Sequence, residues 1–204
     1  MTGDRTALLI VDVQNDFCEG GALAVAGSEG AVAALNQYLD AVVPQGMTVF
    51  VSRDWHPAVT SHFKTYGGPW PEHCVQGTRG ARFHPALHVP PDAIVITKGE
   101  SQESPGYSAF EGRTTEGKSF REELRERGIG HLVVGGLATD YCVKHSVLDA
   151  LSSGLQVTLL EDAVAGVHAD DSAAALAEMR DKGARTALTS SALRPTTSRG
   201  GRRP

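Results

Sequence analysis

Ala7-Leu-Leu-Ile-Val11, five consecutive apolar residues closed by Asp12, decides how this chain is read. A run that short and apolar at every position describes a strand buried on both faces, as in a parallel sheet, rather than a half-exposed strand with alternating residues. Working outward, short β-branched or aliphatic runs recur at Met47-Thr-Val-Phe-Val51, Ala93-Ile-Val-Ile-Thr97, Leu132-Val-Val134, Val157-Thr-Leu-Leu160 and Arg185-Thr-Ala-Leu188, which makes six strands. Between the first two, Val32, Leu35, Leu39 and Val42 repeat at helical spacing, with Ser28 placed to cap that helix and Gly46 to stop it. Further helices are predicted over 119–127, 142–153 and 170–182, each closed by a glycine, Gly128, Gly154 or Gly183. Strand, helix, strand repeated in this way predicts an α/β protein: a three-layer α/β/α, Rossmann-like fold around a six-stranded, mostly parallel sheet.

Composition agrees with a single core. The chain has 204 residues, of which 41% are hydrophobic and 21% charged, enough apolar material for one full-sized domain. Residues 1–190 are expected to form that domain and 191–204 a basic, disordered tail, because Arg194, Arg199, Arg202 and Arg203 lie there among Pro, Ser, Thr and Gly. The net charge is −5, and the body without those arginines is more acidic still, which argues against a nucleic-acid or anionic-membrane surface. No apolar run approaches transmembrane length and the first residues do not read as a signal peptide, so a cytoplasmic location is expected. Three scattered cysteines, Cys18, Cys74 and Cys142, do not form a disulfide framework.

The segment from Asp54 to Pro91 breaks the strand–helix rhythm and carries two tryptophans and five histidines. Irregular stretches of such length inside a compact domain are usually functional or disordered, and the tryptophans and histidines favour function. In an open parallel sheet the ligand crevice lies beyond the carboxyl ends of the strands. Asp12, Asp54 and Lys98 follow the first three strands, and Cys142 opens the helix after the fourth and the Gly135-Gly-Leu-Ala-Thr-Asp-Tyr141 turn. Singly, each has an ordinary explanation as a cap, a solvated charge or a small core residue. Together they describe an activated thiol, because a helix N-terminus, a nearby cation and a carboxylate base all favour the nucleophilic thiolate. The preceding turn can aim the amides of Ala138 and Cys142 at an oxyanion. A second cluster, Asp54, His56, His62 and His73, combines oxygen and nitrogen donors that suit one divalent ion, Zn²⁺ first, with Mn²⁺ or Fe²⁺ as alternatives. Cys74 is read as structural, Cys18 as without a role, and His84, His88, His131, His145 and His168 as packing or surface residues.

The ordered set Val11-Asp-Val-Gln-Asn-Asp-Phe17, Asp54-Trp-His56 with His62, Trp70-Pro-Glu-His-Cys-Val-Gln-Gly-Thr78, Thr97-Lys-Gly99, Tyr107-Ser-Ala-Phe110 and Gly136-Leu-Ala-Thr-Asp-Tyr-Cys142 resembles the nicotinamidase/pyrazinamidase branch of the isochorismatase-like cysteine hydrolases. The resemblance runs from about Ala7 to Ser190. It implies a catalytic triad of Asp12, Lys98 and Cys142, an oxyanion hole at Ala138 and Cys142 with a cis peptide before Ala138, and a metal held by Asp54, His56, His62 and His73. It further implies hydrolysis of nicotinamide, and of pyrazinamide, to the acid and ammonia through a thioester. Phe17, Trp70 and Tyr107 would wall a flat slot for a planar ring, with Tyr141 tuning its polarity. Three other readings are weighed: an amidase of the same superfamily acting on a non-aromatic amide or carbamoyl group; a receiver-like phosphoacceptor domain, which also places Asp and Lys at strand ends but is set aside because Val13 rather than a second acid follows Asp12 and the thiol and histidines have no role in it; and a catalytically inactive relative kept as a zinc-binding or interaction module, which the intact triad disfavours. The expected partner is the small-molecule substrate nicotinamide; monomer and homo-oligomer are equally compatible with the sequence.

Overall fold

The computed structural model describes residues 3–193. Its core is a six-stranded sheet of β1 (Arg5–Val11), β2 (Thr48–Asp54), β3 (Ile94–Lys98), β4 (Ile129–Leu137), β5 (Gln156–Ala165) and β6 (Arg185–Ala187). The strand order is β3-β2-β1-β4-β5-β6, and all five neighbour pairings are parallel. The strand order reverses between β1 and β4, which opens a crevice beyond their carboxyl ends.

Alternate residues of the central strand serve opposite faces. Leu8 and Ile10 pack beneath α1 (Ser28–Val42), while Ala7, Leu9 and Val11 face α2 (Phe120–Glu126), α3 (Lys144–Ser152) and α4 (Ala169–Asp181). The central strands β1 and β4 are buried on both faces over most of their length, so each can be apolar at nearly every position, whereas edge strand β6 has no buried residue. At about 25 cal/mol per Å² of apolar area, fully burying one such Leu or Ile contributes roughly 2 kcal/mol.

Several boundaries differ from the sequence reading. β4 is longer than Leu132–Val134 because His131, Gly135 and Gly136 interrupt its apolar run while remaining paired with β1; on the β5 side the register shifts at Gly135. Gly136 has φ +123°, and a Cβ there would sit 2.1 Å from Val11 O, so the close approach of β1 and β4 requires glycine. Ser28 is not the cap of α1: Gly27, at φ +82°, holds that position with no side-chain bond. Ser119 does cap α2, in a reciprocal box with Glu122. Gly46 ends the short 3₁₀ extension of α1, as its left-handed φ of +77° allows. The helix expected over 142–153 is split: Thr139–Val143 is a π turn and α3 begins at Lys144, so Cys142 lies in the widened first turn rather than opening the α-helix. A short α5 (Thr189–Ala192) crosses the expected domain boundary at 190, and Ala192 and Leu193 pack on the core; the rest of the expected tail lies outside the described residues. No helix among the described residues is long and apolar enough to cross a membrane.

Candidate active site and metal centre

Asp54 and Lys98 are register partners at the ends of β2 and β3, and Asp12 is the first residue beyond β1, with φ +47°. The Lys98 ammonium reaches across all of them. Its Nζ donates to Asp54 Oδ1 (2.6 Å), Gly106 O (3.0 Å) and Cys142 Sγ (3.4 Å), and lies 2.8 Å from Asp12 Oδ2. Asp12, Lys98 and Cys142 are 0%, 2% and 5% exposed, so these charges interact in a medium that screens them weakly. Burial alone would lower the Lys98 pKa, but the carboxylates of Asp12 and Asp54 outweigh it and hold the ammonium well above its usual value. Burial pushes the Asp12 carboxyl up, against the opposing pull of Lys98. Burial also raises the Cys142 thiol, reinforced by the two carboxylates and offset in part by Lys98. Burial thus favours the neutral thiol at Cys142, with the Asp12 carboxyl beside it.

Across Asp54 stands the histidine cluster. The free ring nitrogens of His56, His62 and His73 lie within 4.8 Å of one another, and Asp54 Oδ2 is 3.5 Å from His56 Nε2. Each ring is tied by the other nitrogen: His56 Nδ1 donates to Gly99 O (2.9 Å), and His73 Nδ1 to Pro71 O (2.7 Å). His62 Nδ1 donates to Thr60 Oγ1 (2.6 Å), whose own hydroxyl donates to Gln102 O. Carbonyls only accept, so Nδ1 carries the proton and Nε2 offers its lone pair, the tautomer a metal ligand needs. Burial, with His56 and His73 nearby, pushes His62 down to about 4, and burial lowers His73 as well, which keeps both rings neutral near pH 7. Buried His62 Nε2 has no hydrogen-bond partner, and an orphan lone pair facing two more imidazoles and a carboxylate fits a divalent cation. Gly99, at φ +70°, makes room: a Cβ there would sit 2.5 Å from His56 Cε1.

Between the two clusters opens a pocket lined by Phe17, Leu23, Asp54, Trp70, His73, Tyr107, Ala138, Tyr141, Cys142 and Val167. All four expected ring-binding residues meet there. Trp70 Nε1 donates to Tyr107 OH (2.9 Å), and Tyr141 packs edge-on to Trp70 at 4.7 Å. Beside them the Leu137–Ala138 peptide is cis. Tyr141 and Val143 both donate their amides to Ala138 O, so the amides of Ala138 and Cys142 are not the ones closing this turn. A roomier cleft at Phe110, Arg121, Arg125 and Leu155 carries no carboxylate, imidazole or thiol.

Four supporting residues were not singled out from the sequence. Gln14 clamps the Asp54 backbone, donating to its carbonyl (2.8 Å) and accepting from its N–H (2.7 Å). Ser52 donates to Asp12 Oδ1 (2.7 Å). Asp140 accepts from the amides of Val167 (3.0 Å) and His168 (2.9 Å), joining the thiol-bearing turn to the opposite pocket wall. Thr60 orients His62. Gln14, inside the Val11–Phe17 motif, and Asp140, inside the Gly136–Cys142 motif, had a signal in the chain, whereas Ser52 and Thr60 had none. Cys74 is fully buried, with its amide bonded to Asp16 Oδ2 (2.7 Å), and His145 stacks on Tyr107.

A family model described as the isochorismatase domain matches residues 6–191. Nicotinamidase of Escherichia coli (strain K12) is 43% identical over 197 residues, covering 87% of this chain and 92% of that protein. The crystal structure of pyrazinamidase of Pyrococcus horikoshii in complex with zinc superposes with a TM-score of 0.83 at 39% identity, over 90% of this chain and 99% of that one. A protein of L. infantum crystallised in complex with nicotinate gives a TM-score of 0.79 at 36% identity, over 93% and 96%.

Proposed function

We propose that this chain, which belongs to the isochorismatase family and is a hydrolase acting on amides, converts nicotinamide to nicotinate and ammonia, and accepts pyrazinamide, through a thioester on Cys142. The observation that carries the reading is one buried ammonium, Lys98 Nζ, touching Asp12, Asp54 and Cys142 beside a slot walled by Phe17, Trp70, Tyr107 and Tyr141.

The aromatic walls hold a planar carboxamide with its carbonyl carbon at Cys142. Asp12 takes the thiol proton as the sulfur attacks, so that the charge forms only when the bond does. Lys98, whose ammonium form the carboxylates of Asp12 and Asp54 favour, stabilises the thiolate as it develops and keeps Asp12 from repelling it. The Ala138 and Cys142 amides receive the oxyanion, an arrangement worth ~3 kcal/mol per donor in another hydrolase. Protonated Asp12 then gives its proton to the departing nitrogen, leaving an acyl-thiol and ammonia. A water molecule, deprotonated by the regenerated Asp12 carboxylate, adds to the thioester carbon; the C–S bond breaks, the acid leaves, and Asp12 returns the proton to the Cys142 sulfur.

Asp54, His56, His62 and His73 would hold a divalent ion, most naturally Zn²⁺ given the zinc-bound relative, with Mn²⁺ and Fe²⁺ compatible with the same donors. Such an ion would supply a positive anchor for a ring nitrogen at the end of the slot. The test is ammonia release from nicotinamide, pyrazinamide, benzamide, an aliphatic amide and an N-carbamoyl compound. Nicotinamide and pyrazinamide are expected to turn over fastest and benzamide, which lacks the ring nitrogen, with a raised KM. Turnover confined to the non-aromatic amides would reject the substrate assignment and leave the family intact.

A further inference from the structure

We propose that Ser52 is a positioning residue that reserves one oxygen of Asp12, Oδ2, as the carrier of the Cys142 proton; this rests on Cys142 being the nucleophile. Ser52 lies on β2 and is completely buried. It holds Asp12 twice: its carbonyl accepts the Asp12 N–H (3.2 Å) and its hydroxyl donates to Asp12 Oδ1 (2.7 Å). With φ at +47°, Asp12 is outside the strand conformation, and these two bonds set where its carboxylate points.

The two oxygens thereby become unequal. Oδ1 faces a donor. Oδ2 is the ion-pair partner of Lys98 Nζ at 2.8 Å but accepts no aligned hydrogen bond, whereas Nζ donates to Asp54 Oδ1, Gly106 O and Cys142 Sγ. Oδ2 thus shares the ammonium with the thiol sulfur and is the oxygen free to accept a proton. When the S–H bond breaks, its proton moves to Oδ2 and the sulfur pair forms the bond to the carboxamide carbon. The Ser52 hydroxyl can go on donating to Oδ1 in both protonation states. A proton on Oδ1 would set two donors against each other, so the Ser52 bond disfavours that tautomer. The same Oδ2 proton is then aimed at the leaving nitrogen.

The experiment compares Ser52→Ala, Ser52→Thr and Ser52→Val in the full, metal-loaded chain. It measures Cys142 alkylation by iodoacetamide, mapped by peptide mass at one fixed pH, alongside kcat and KM for nicotinamide and bound metal. Thr and Val have nearly the same shape and differ in the hydroxyl, so their ratio separates hydrogen bonding from packing. Ser52→Ala and Ser52→Val are expected to alkylate and turn over about tenfold more slowly, part of the range that a positioned base contributes. KM and metal content stay unchanged, and Ser52→Thr stays within about twofold of the parent. Equal rates for Thr and Val, parental rates for Ala, or a loss that follows metal release would each overturn the proposal. If Ser52→Ala does not fold, the Thr/Val ratio decides. If the parent releases no ammonia from nicotinamide, the substrate reading fails, while the alkylation ratio, which needs no substrate, still tests Ser52.

Discussion

The acid–lysine–thiol cluster stands on the ends of β1, β3 and the turn after β4, whereas the histidine cluster hangs mainly on the irregular segment after β2, and the two are held by different means. Sheet register brings Asp54 opposite Lys98 and sets Val11 against Gly136, so the first cluster inherits its geometry from backbone ladders. His62 and His73 have no ladder to hold them and depend on bonds from Nδ1 to Thr60 and Pro71. The comparison teaches that strand ends position functional groups by default, while loop-borne ligands need individual hydrogen bonds from residues with no chemistry of their own. Asp54 belongs to both clusters, with Oδ1 on Lys98 and Oδ2 beside His56.

That comparison can be broken at the thiol first. Cys142→Ala is expected to lower turnover by about a million-fold, the order found when the nucleophile of another catalytic triad is removed. Thermal stability and bound metal should stay as in the parent, measured by unfolding and elemental analysis on one sample; loss of metal with the thiol would show that the halves are one unit.

Lys98→Met removes the shared cation and leaves the buried carboxylates of Asp12 and Asp54 facing each other. Breaking a buried ion pair on one side costs about 3–5 kcal/mol. Urea unfolding should show a loss of that order together with abolished activity, and an unchanged midpoint would mean that Lys98 does not hold the two clusters together.

The histidine half gives smaller effects. His62→Ala should lower metal below one ion per chain while Cys142 remains open to alkylation, and full metal occupancy would remove His62 from the ligand set. Thr60→Val leaves all four donors in place and removes only the bond that orients His62. An outer partner of this kind typically contributes 10–100-fold to metal affinity, so competition with a chelator should show about tenfold weaker binding. No change would mean that His62 is held by packing against His56 and Phe63 instead.

Much of this was legible along the chain. Short β-branched or aliphatic runs located the strands, most clearly the central ones, where burial on both faces leaves little polar alternation. Residues just past those runs, Asp12, Asp54 and Lys98, were found because a parallel sheet opens its crevice at that end. The extent of β4 was not legible, since Gly135 and Gly136 look like a turn and are in fact strand residues under close packing. The π turn holding Cys142 was missed for a related reason: its helical winding begins at Thr139, ahead of α3, and periodicity does not distinguish the two windings over five residues.

The sequence by itself determined the architecture, the reactive side chains and the strand ends that carry most of them, because burial and side-chain chemistry are written in residue type. Only the tertiary structure decided that one ammonium serves both Asp12 and Asp54, that Gly99 and Pro71 carbonyls set the histidine tautomers, and that Ser52 holds one oxygen of Asp12. The physical reason is that these links often join residues forty or more positions apart, and some run through backbone carbonyls, which every residue has and no sequence pattern distinguishes.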